Sequence, residues 1–218
     1  MESCGGLIKN SQGKASCVLV VSHDITARKQ AEDEIHNLAF YDELTRLPNR
    51  RLLNDRLEHA MAASKRSGLY GALMFLDMDN FKPLNDKHGH DVGDLLLIEV
   101  AKRLTSCVRE VDTVTRFGGD EFVVMLSELD EDKAESVAQA SIVAEKIRAA
   151  LAEPYVLKIQ HEGPAETTIE HHCTSSIGVV PFIHHEVMAD DIIKLADMAM
   201  YQAKEAGGNQ IRFYAANI

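Results

Sequence analysis

The spacing of apolar residues changes period several times along the chain, and each change predicts an element. Gly5-Gly6 and Gly13 precede an apolar run, Cys17–Val21, so residues 1–24 read as two short strands around a turn. That stretch is too short to bury a core of its own. From Thr26 to about Leu38 the pattern becomes helical and highly charged, with Asp24 or Thr26 as cap. Ile35 and Leu38 leave a thin apolar stripe, suited to pairing with another helix. Pro48 stops what precedes it, Asn49 can cap the next helix, and Leu53, Leu57, Ala60 and Met61 recur at helical spacing.

Ala72–Leu76 is apolar without interruption, as in a strand covered on both faces, and it ends in Asp77-Met78-Asp79. A polar, glycine-bearing segment follows to Asp94. Leu97, Val100, Ala101, Leu104 and Val108 then mark an amphipathic helix. Thr113–Phe117 and Phe122–Leu126 are strand-like, and the Gly118-Gly119 between them predicts a hairpin. A long helix is expected from about Asp132 to Leu151, before Pro154. Strands fit Thr167–Cys173 and Ser176–Val180. A last helix carries Ile193, Ala196, Met200 and Ala203 and stops at Gly207-Gly208, and Ile211–Tyr214 closes the chain as a short strand. Helices and strands interspersed around one hairpin predict a mixed sheet with helices packed on it.

The 218 residues are 45% hydrophobic, enough for one sizeable core plus a flanking segment. The net charge of -11 argues against nucleic-acid binding, which rests on dense Lys and Arg contacts to phosphate. A nucleotide remains possible if local lysines or a divalent cation offset its charge. Cys4, Cys17, Cys107 and Cys173 form no paired motif and read as idle or buried thiols of a reducing cytoplasm. No run approaches the roughly 18 apolar residues of a membrane span, and the first residues do not resemble a signal peptide. A cytoplasmic bacterial fragment without direct membrane contact is expected, and its abrupt ends suggest a piece of a longer protein.

Asp77 and Asp79 sit where a buried strand emerges, and Asp120 and Glu121 at the tip of a tight hairpin. If those strands are neighbours, the acids converge at one sheet edge. Their repulsion then calls for a cation between them. Oxygen donors suit Mg²⁺, and two such ions can activate a hydroxyl and steady a leaving pyrophosphate. Gly118 and Gly119 leave bare backbone against which a base or ribose can lie. Neither a Walker A loop nor a G-x-G-x-x-G turn is present.

Arg116-Phe117-Gly118-Gly119-Asp120-Glu121-Phe122 resembles the signature of the GGDEF diguanylate cyclases. Four further blocks resemble the family in the same order: Asp42–Arg50, Asp77–Asp94, Ser175–Val179 and Ala196–Lys204. The resemblance implies a ferredoxin-like, palm-type α+β fold, with a mostly antiparallel sheet of about five strands flanked by helices. It implies condensation of two GTP into cyclic di-GMP by a homodimer, with two Mg²⁺ (or Mn²⁺) per active site. Asp77, the Met78 carbonyl, Asp120 and Glu121 match metal ligands. Asp120 and Glu121 also match the acidic pair that deprotonates the ribose hydroxyl. Lys82 matches a residue that steadies triphosphate charge, and Lys204 a further phosphate contact. Asn85 and Asp94 match guanine-reading residues, with His90 close by. One departure is plain: where the family carries arginine after Gly207, this chain has Gly208, so one phosphate contact is expected to be absent.

Arg109 and Asp112 resemble the R-x-x-D motif that binds the cyclic product for feedback inhibition; an ordinary helix-end ion pair is the bland alternative. Ser22–Glu32 resembles the exit of a PAS sensor domain. The expected layout is a PAS-like tail over 1–24, a linker helix over 25–40 and a catalytic domain over 41–218. Two other functions fit less well: a GTP-binding regulatory module for an adjoining domain, and a cyclic di-GMP receptor. His171-His172 and His184-His185 lack partners at zinc spacing and read as surface residues.

Overall fold

The computed structural model describes residues 2–9, 15–160, 166–183 and 188–214. The chain divides into two compact units, Met1–Ala39 and Phe40–Ile218. In the first, β1 (Glu2–Lys9) pairs antiparallel with β2 (Ala15–His23). Helix α1 (Thr26–Phe40) begins where the Asp24 carboxylate accepts from the Thr26 N–H at 2.9 Å.

The second unit is built on a five-stranded sheet. Its strands are β3 (Gly71–Asp79), β4 (Thr113–Gly118), β5 (Glu121–Leu126), β8 (Thr174–Phe182) and β9 (Ile211–Phe213), in the order β4-β5-β3-β8-β9. All pairs are antiparallel except β8 with β9. The mixed, mostly antiparallel sheet flanked by helices is the fold class expected. β3 is central and buried at all nine positions, which explains why its apolar run shows no alternation. β6 (Tyr155–Gln160) and β7 (Glu166–His171) form a separate hairpin.

Helices cover both faces. Alternate β3 side chains Met74, Leu76 and Met78 pack with Leu97, Val100 and Leu104 of α4 (His90–Cys107) and Ala144 and Ile147 of α5 (Lys133–Ala152). Leu73 and Phe75 face the other way, toward Leu53 and Leu57 of α2 (Arg50–Ser67) and Ile193 and Ala196 of α6 (Ala189–Glu205). Asn49 caps α2, its Oδ1 accepting from the N–H groups of Arg51 and Leu52. Gly178 of β8 lies directly under α6: a Cβ there would stand 2.0 Å from the Ala196 carbonyl oxygen and 2.2 Å from the Met200 nitrogen.

Three elements differ from expectation. Phe81–His88 is a helix, α3, and α4 starts at His90 rather than near Leu97, so the segment read as polar loop is largely helical. Pro83 is tolerated in the first turn of α3, where its missing N–H would have had no helical acceptor. β6 was not anticipated at all.

Candidate active site

The register of β3 against β5 pairs Asp77 with Glu121, and the Met78 N–H donates to the Asp120 carbonyl at 3.3 Å. The acidic turn therefore lies beside the end of β3, as the sequence required. A strand residue directs its N–H and C=O to the same side, so the Met78 carbonyl also faces the turn. Asp77 and Glu121 continue the side-chain alternation that puts Phe75 and Val123 against α2 and α6.

Burial raises the proton affinity of Asp77, and the neighbouring Asp120 and Asp79 raise it further, against the opposing pull of Lys204. Glu121 is raised by burial first, then by Asp77, Asp197 and Asp120. Crowded carboxylates whose charge is disfavoured are what a hard cation relieves. The oxygen donors at this edge thus fit Mg²⁺ chemistry. Among the described residues no three His, Cys, Asp or Glu side chains are already gathered around a common metal position. Instead, Lys204 Nζ, from the last turn of α6, donates to Asp77 Oδ1 at 2.7 Å.

Asp79 is a correction to the idea that both acids of Asp-x-Asp serve one site. Its Oδ2 accepts from Thr174 Oγ1 (2.6 Å) and the Asn209 N–H (2.9 Å), and its Oδ1 from Ser176 Oγ (2.7 Å). Those bonds make it a buried structural hub joining β3, β8 and the turn after α6. Gly208 belongs to the same hub: its φ is +72°, and a Cβ there would come within 2.9–3.0 Å of the Asp79 carboxylate. A side chain at 208 would meet that carboxylate, so its absence has a local packing reason.

Arg116, at the head of the signature, has a role that its motif alone does not reveal. Its Nη1 donates to both carboxylate oxygens of Asp42 at 3.1 Å, and its Nε and Nη2 donate to the Gly119 carbonyl at 3.0 and 2.8 Å. The guanidinium thus ties the acidic turn to the segment that enters the domain. Burial alone would raise the Asp42 carboxyl, but hydrogen bonds from Thr45 and Arg116 outweigh it and hold it below the usual range. Gly119 has φ +53°, and neither Gly118 nor Gly119 has any atom within 4 Å of where a Cβ would be. The turn is bare and open, as close approach of a ligand requires.

The expected base-reading residues lie on α3 and α4. Asn85 is half-buried with its Oδ1 buried and unpartnered, while Lys82, His90 and Asp94 are exposed. A Cβ on Gly93 would stand 1.9 Å from that Oδ1, so the glycine makes room for the amide.

Arg109 and Asp112 stand apart from this edge. Asp112 is buried and accepts from the Arg109 N–H (2.9 Å), Arg109 Nε (3.4 Å) and the Ser127 N–H (3.2 Å). Asp112 also lines a cavity of about 530 Å³, with Arg56, His59, Ser64 and Glu128 among its other walls. Cys107 and Cys173 are buried free thiols, and burial pushes Cys173 up to about 12. His172 is exposed, but His171 is half-buried with its Nε2 enclosed, and burial, then His88, His172 and Lys87, lower its proton affinity. His184-His185 lie outside the described residues.

A profile of the family described as "Diguanylate cyclase, GGDEF domain" matches residues 39–210. The chain belongs to the GGDEF family. MucR of Pseudomonas aeruginosa, a bifunctional diguanylate cyclase/cyclic di-GMP phosphodiesterase, is 39% identical over 198 residues, covering 88% of this chain and 26% of MucR. PdeR of Escherichia coli, a cyclic di-GMP phosphodiesterase, is 33% identical over 204 residues, covering 93% of this chain and 28% of PdeR. This GGDEF chain thus spans about a quarter of the length of these relatives. The coiled coil and GGDEF domain of DgcB from Caulobacter crescentus, solved with c-di-GMP, superposes with a TM-score of 0.73 at 25% identity, covering 87% of this chain and 93% of DgcB's. No described helix of the GGDEF chain is long and apolar enough to cross a membrane.

Proposed function

We propose that the domain is a diguanylate cyclase. The pairing of Asp77 with Glu121 beside the Asp120 turn carries this reading. Each protomer of a homodimer holds one GTP, and the 3′-hydroxyl of each attacks the α-phosphate of the other. Two phosphodiester bonds form, two pyrophosphates leave, and the product is cyclic di-GMP.

Asp77, the Met78 carbonyl, Asp120 and Glu121 would hold Mg²⁺, which supplies charge neutralisation at the phosphates when bound. Glu121 or Asp120 accepts the 3′-hydroxyl proton, a role favoured by the raised proton affinity of Glu121. Lys82 and Lys204 neutralise phosphate oxygens. Asn85 and Asp94 read guanine, with His90 at the rim, and the bare Gly118-Gly119 backbone accommodates the nucleoside. Arg109 and Asp112 bind the product, in line with the neighbouring cavity. Residues 1–24 would be the tail of a PAS-like sensor and 25–40 the linker helix, whose Ile35 and Leu38 are exposed and suited to dimer contact. The parent protein would work in the bacterial cytoplasm.

The decisive experiment is incubation with GTP and Mg²⁺, followed by chromatography for cyclic di-GMP. Product formation supports the cyclase. GTP binding by a dimer that forms no product would instead support a regulatory GGDEF module, a reading favoured by Gly208 and by the phosphodiesterases among the relatives. Binding of cyclic di-GMP without GTP binding would indicate a receptor.

A further inference from the structure

Lys204 stands where the proposed chemistry needs a different cation. Its ammonium donates to Asp77 Oδ1 at 2.7 Å. The Asp77 side chain is 11% exposed, so it has little freedom to turn away, whereas Lys204 is 46% exposed and has an open path to solvent. Lys204 also sits in the last turn of α6, on a flexible four-carbon stem. Glu121 is the β-ladder partner of Asp77, and Asp120 adjoins it, so this corner carries three carboxylates, and among the described residues Lys204 is the one side chain seen donating to them. Asp79 needs no cation, since Thr174, Ser176 and Asn209 already serve it.

From this arrangement we infer that Lys204 is the site's resident counter-cation, and that divalent ion and nucleotide enter by exchange with it. The inference rests on reading Asp77 as a cation ligand. A divalent ion held by Asp77 would bind its carboxylate oxygen directly. An ammonium hydrogen-bonded to the same carboxylate would then be a like charge only a few ångströms away. The two exclude one another, so the ion enters when the ammonium leaves. Nucleotide phosphates offer the ammonium another anion within reach of its stem. Phosphate binding therefore frees Asp77, and cation and nucleotide strengthen each other's binding reciprocally. Lys204 is thus a positioning residue for the ion, besides any phosphate contact it makes.

Mn²⁺ titration of the full chain without nucleotide, read by electron paramagnetic resonance of free Mn²⁺, tests this. Lys204→Met should tighten Mn²⁺ binding about tenfold, the scale of one charge-assisted bond removed from competition. Lys204→Arg, which keeps a cation there, should bind like the wild type. Lys194→Met removes the same charge from the same helix, but Lys194 pairs with Asp191 at 3.1 Å, so it should shift Mn²⁺ affinity less than about twofold. Equal shifts in the Lys204 and Lys194 variants, or unchanged affinity in a folded Lys204→Met protein, would overturn the exchange. Absence of Mn²⁺ binding in every variant, with GTP present as well, would overturn the reading of Asp77 beneath it.

Discussion

Replacing Gly93 by alanine adds one methyl group where the structure has no room for it. The new Cβ would stand 1.9 Å from Asn85 Oδ1, 2.9 Å from its Cγ and 3.1 Å from Phe81 Cζ. A comfortable carbon–oxygen contact is about 3.3–3.6 Å, so the amide oxygen must retreat by roughly 1.5 Å. Helix α4 is fixed by its buried face, with Val92, Leu96 and Leu97 in the core, so the side chain of Asn85 moves instead. On the proposed reading of Asn85, an amide displaced that far would lose its bond to a guanine edge, which amounts to about 1–3 kcal/mol, or roughly 5- to 150-fold in affinity. The helix itself gains from the exchange, since alanine is favoured over glycine by about 0.5–1 kcal/mol. Thermal melting should therefore change little while recognition falls. Calorimetric titration with GTP and with ATP separates base from phosphate contributions. GTP affinity should drop toward that of ATP, and ATP affinity should stay put. Unchanged GTP affinity in a folded variant, or equal weakening for both nucleotides, would refute the reasoning.

Three further outcomes follow from the site's geometry. Asp79→Ala strands two hydroxyls and the Asn209 N–H, and should cost about 2–4 kcal/mol in urea unfolding; a loss below ~1 kcal/mol would deny its role as hub. Glu121 binds its proton more tightly in the fold than its ordinary value of 4.5, so its charge costs stability as pH rises above that value. Without divalent ions, Glu121→Gln should melt higher than the wild type at neutral pH and equal it in acid, and the gap should narrow when Mg²⁺ is added; a gap constant with pH would contradict this. Arg116→Lys cannot bridge Asp42 and the Gly119 carbonyl together, so turnover should fall about tenfold or more while the melting midpoint shifts little; full turnover would show the turn needs no such brace.

Much of the fold was legible because the core announces itself in sequence. The unbroken run at 72–76 fits a strand covered on both faces, and β3 is buried throughout. Gly118-Gly119 between two β-branched runs marked the hairpin. Helix α3 was hidden because it buries only Leu84, leaving no stripe to detect. β6 pairs in a side hairpin, yet its alternate residues Tyr155, Leu157 and Ile159 pack on the main core, a period-2 signal that was present in the sequence and missed. At the site, local motifs placed the acids but not their partners. Lys204 meets Asp77 across 127 residues of sequence, and Ser176 meets Asp79 across 97. Nothing in Asp-Met-Asp distinguishes the acid that stays available from the one spent on hydroxyls. That distinction arises only when β8 and the turn after α6 arrive.

Gly178 links the interior of the domain to this edge. Helix α6 rests on it backbone to backbone, and the same helix carries Lys204 to Asp77 at its far end. Bedding depth and reach are linked: thickening the floor beneath the helix by a single methyl group would displace the backbone from which Lys204 reaches the carboxylate. Electrostatics at the surface is thus metered by volume in the interior, and drift in core packing would retune the edge without touching any acid or lysine there.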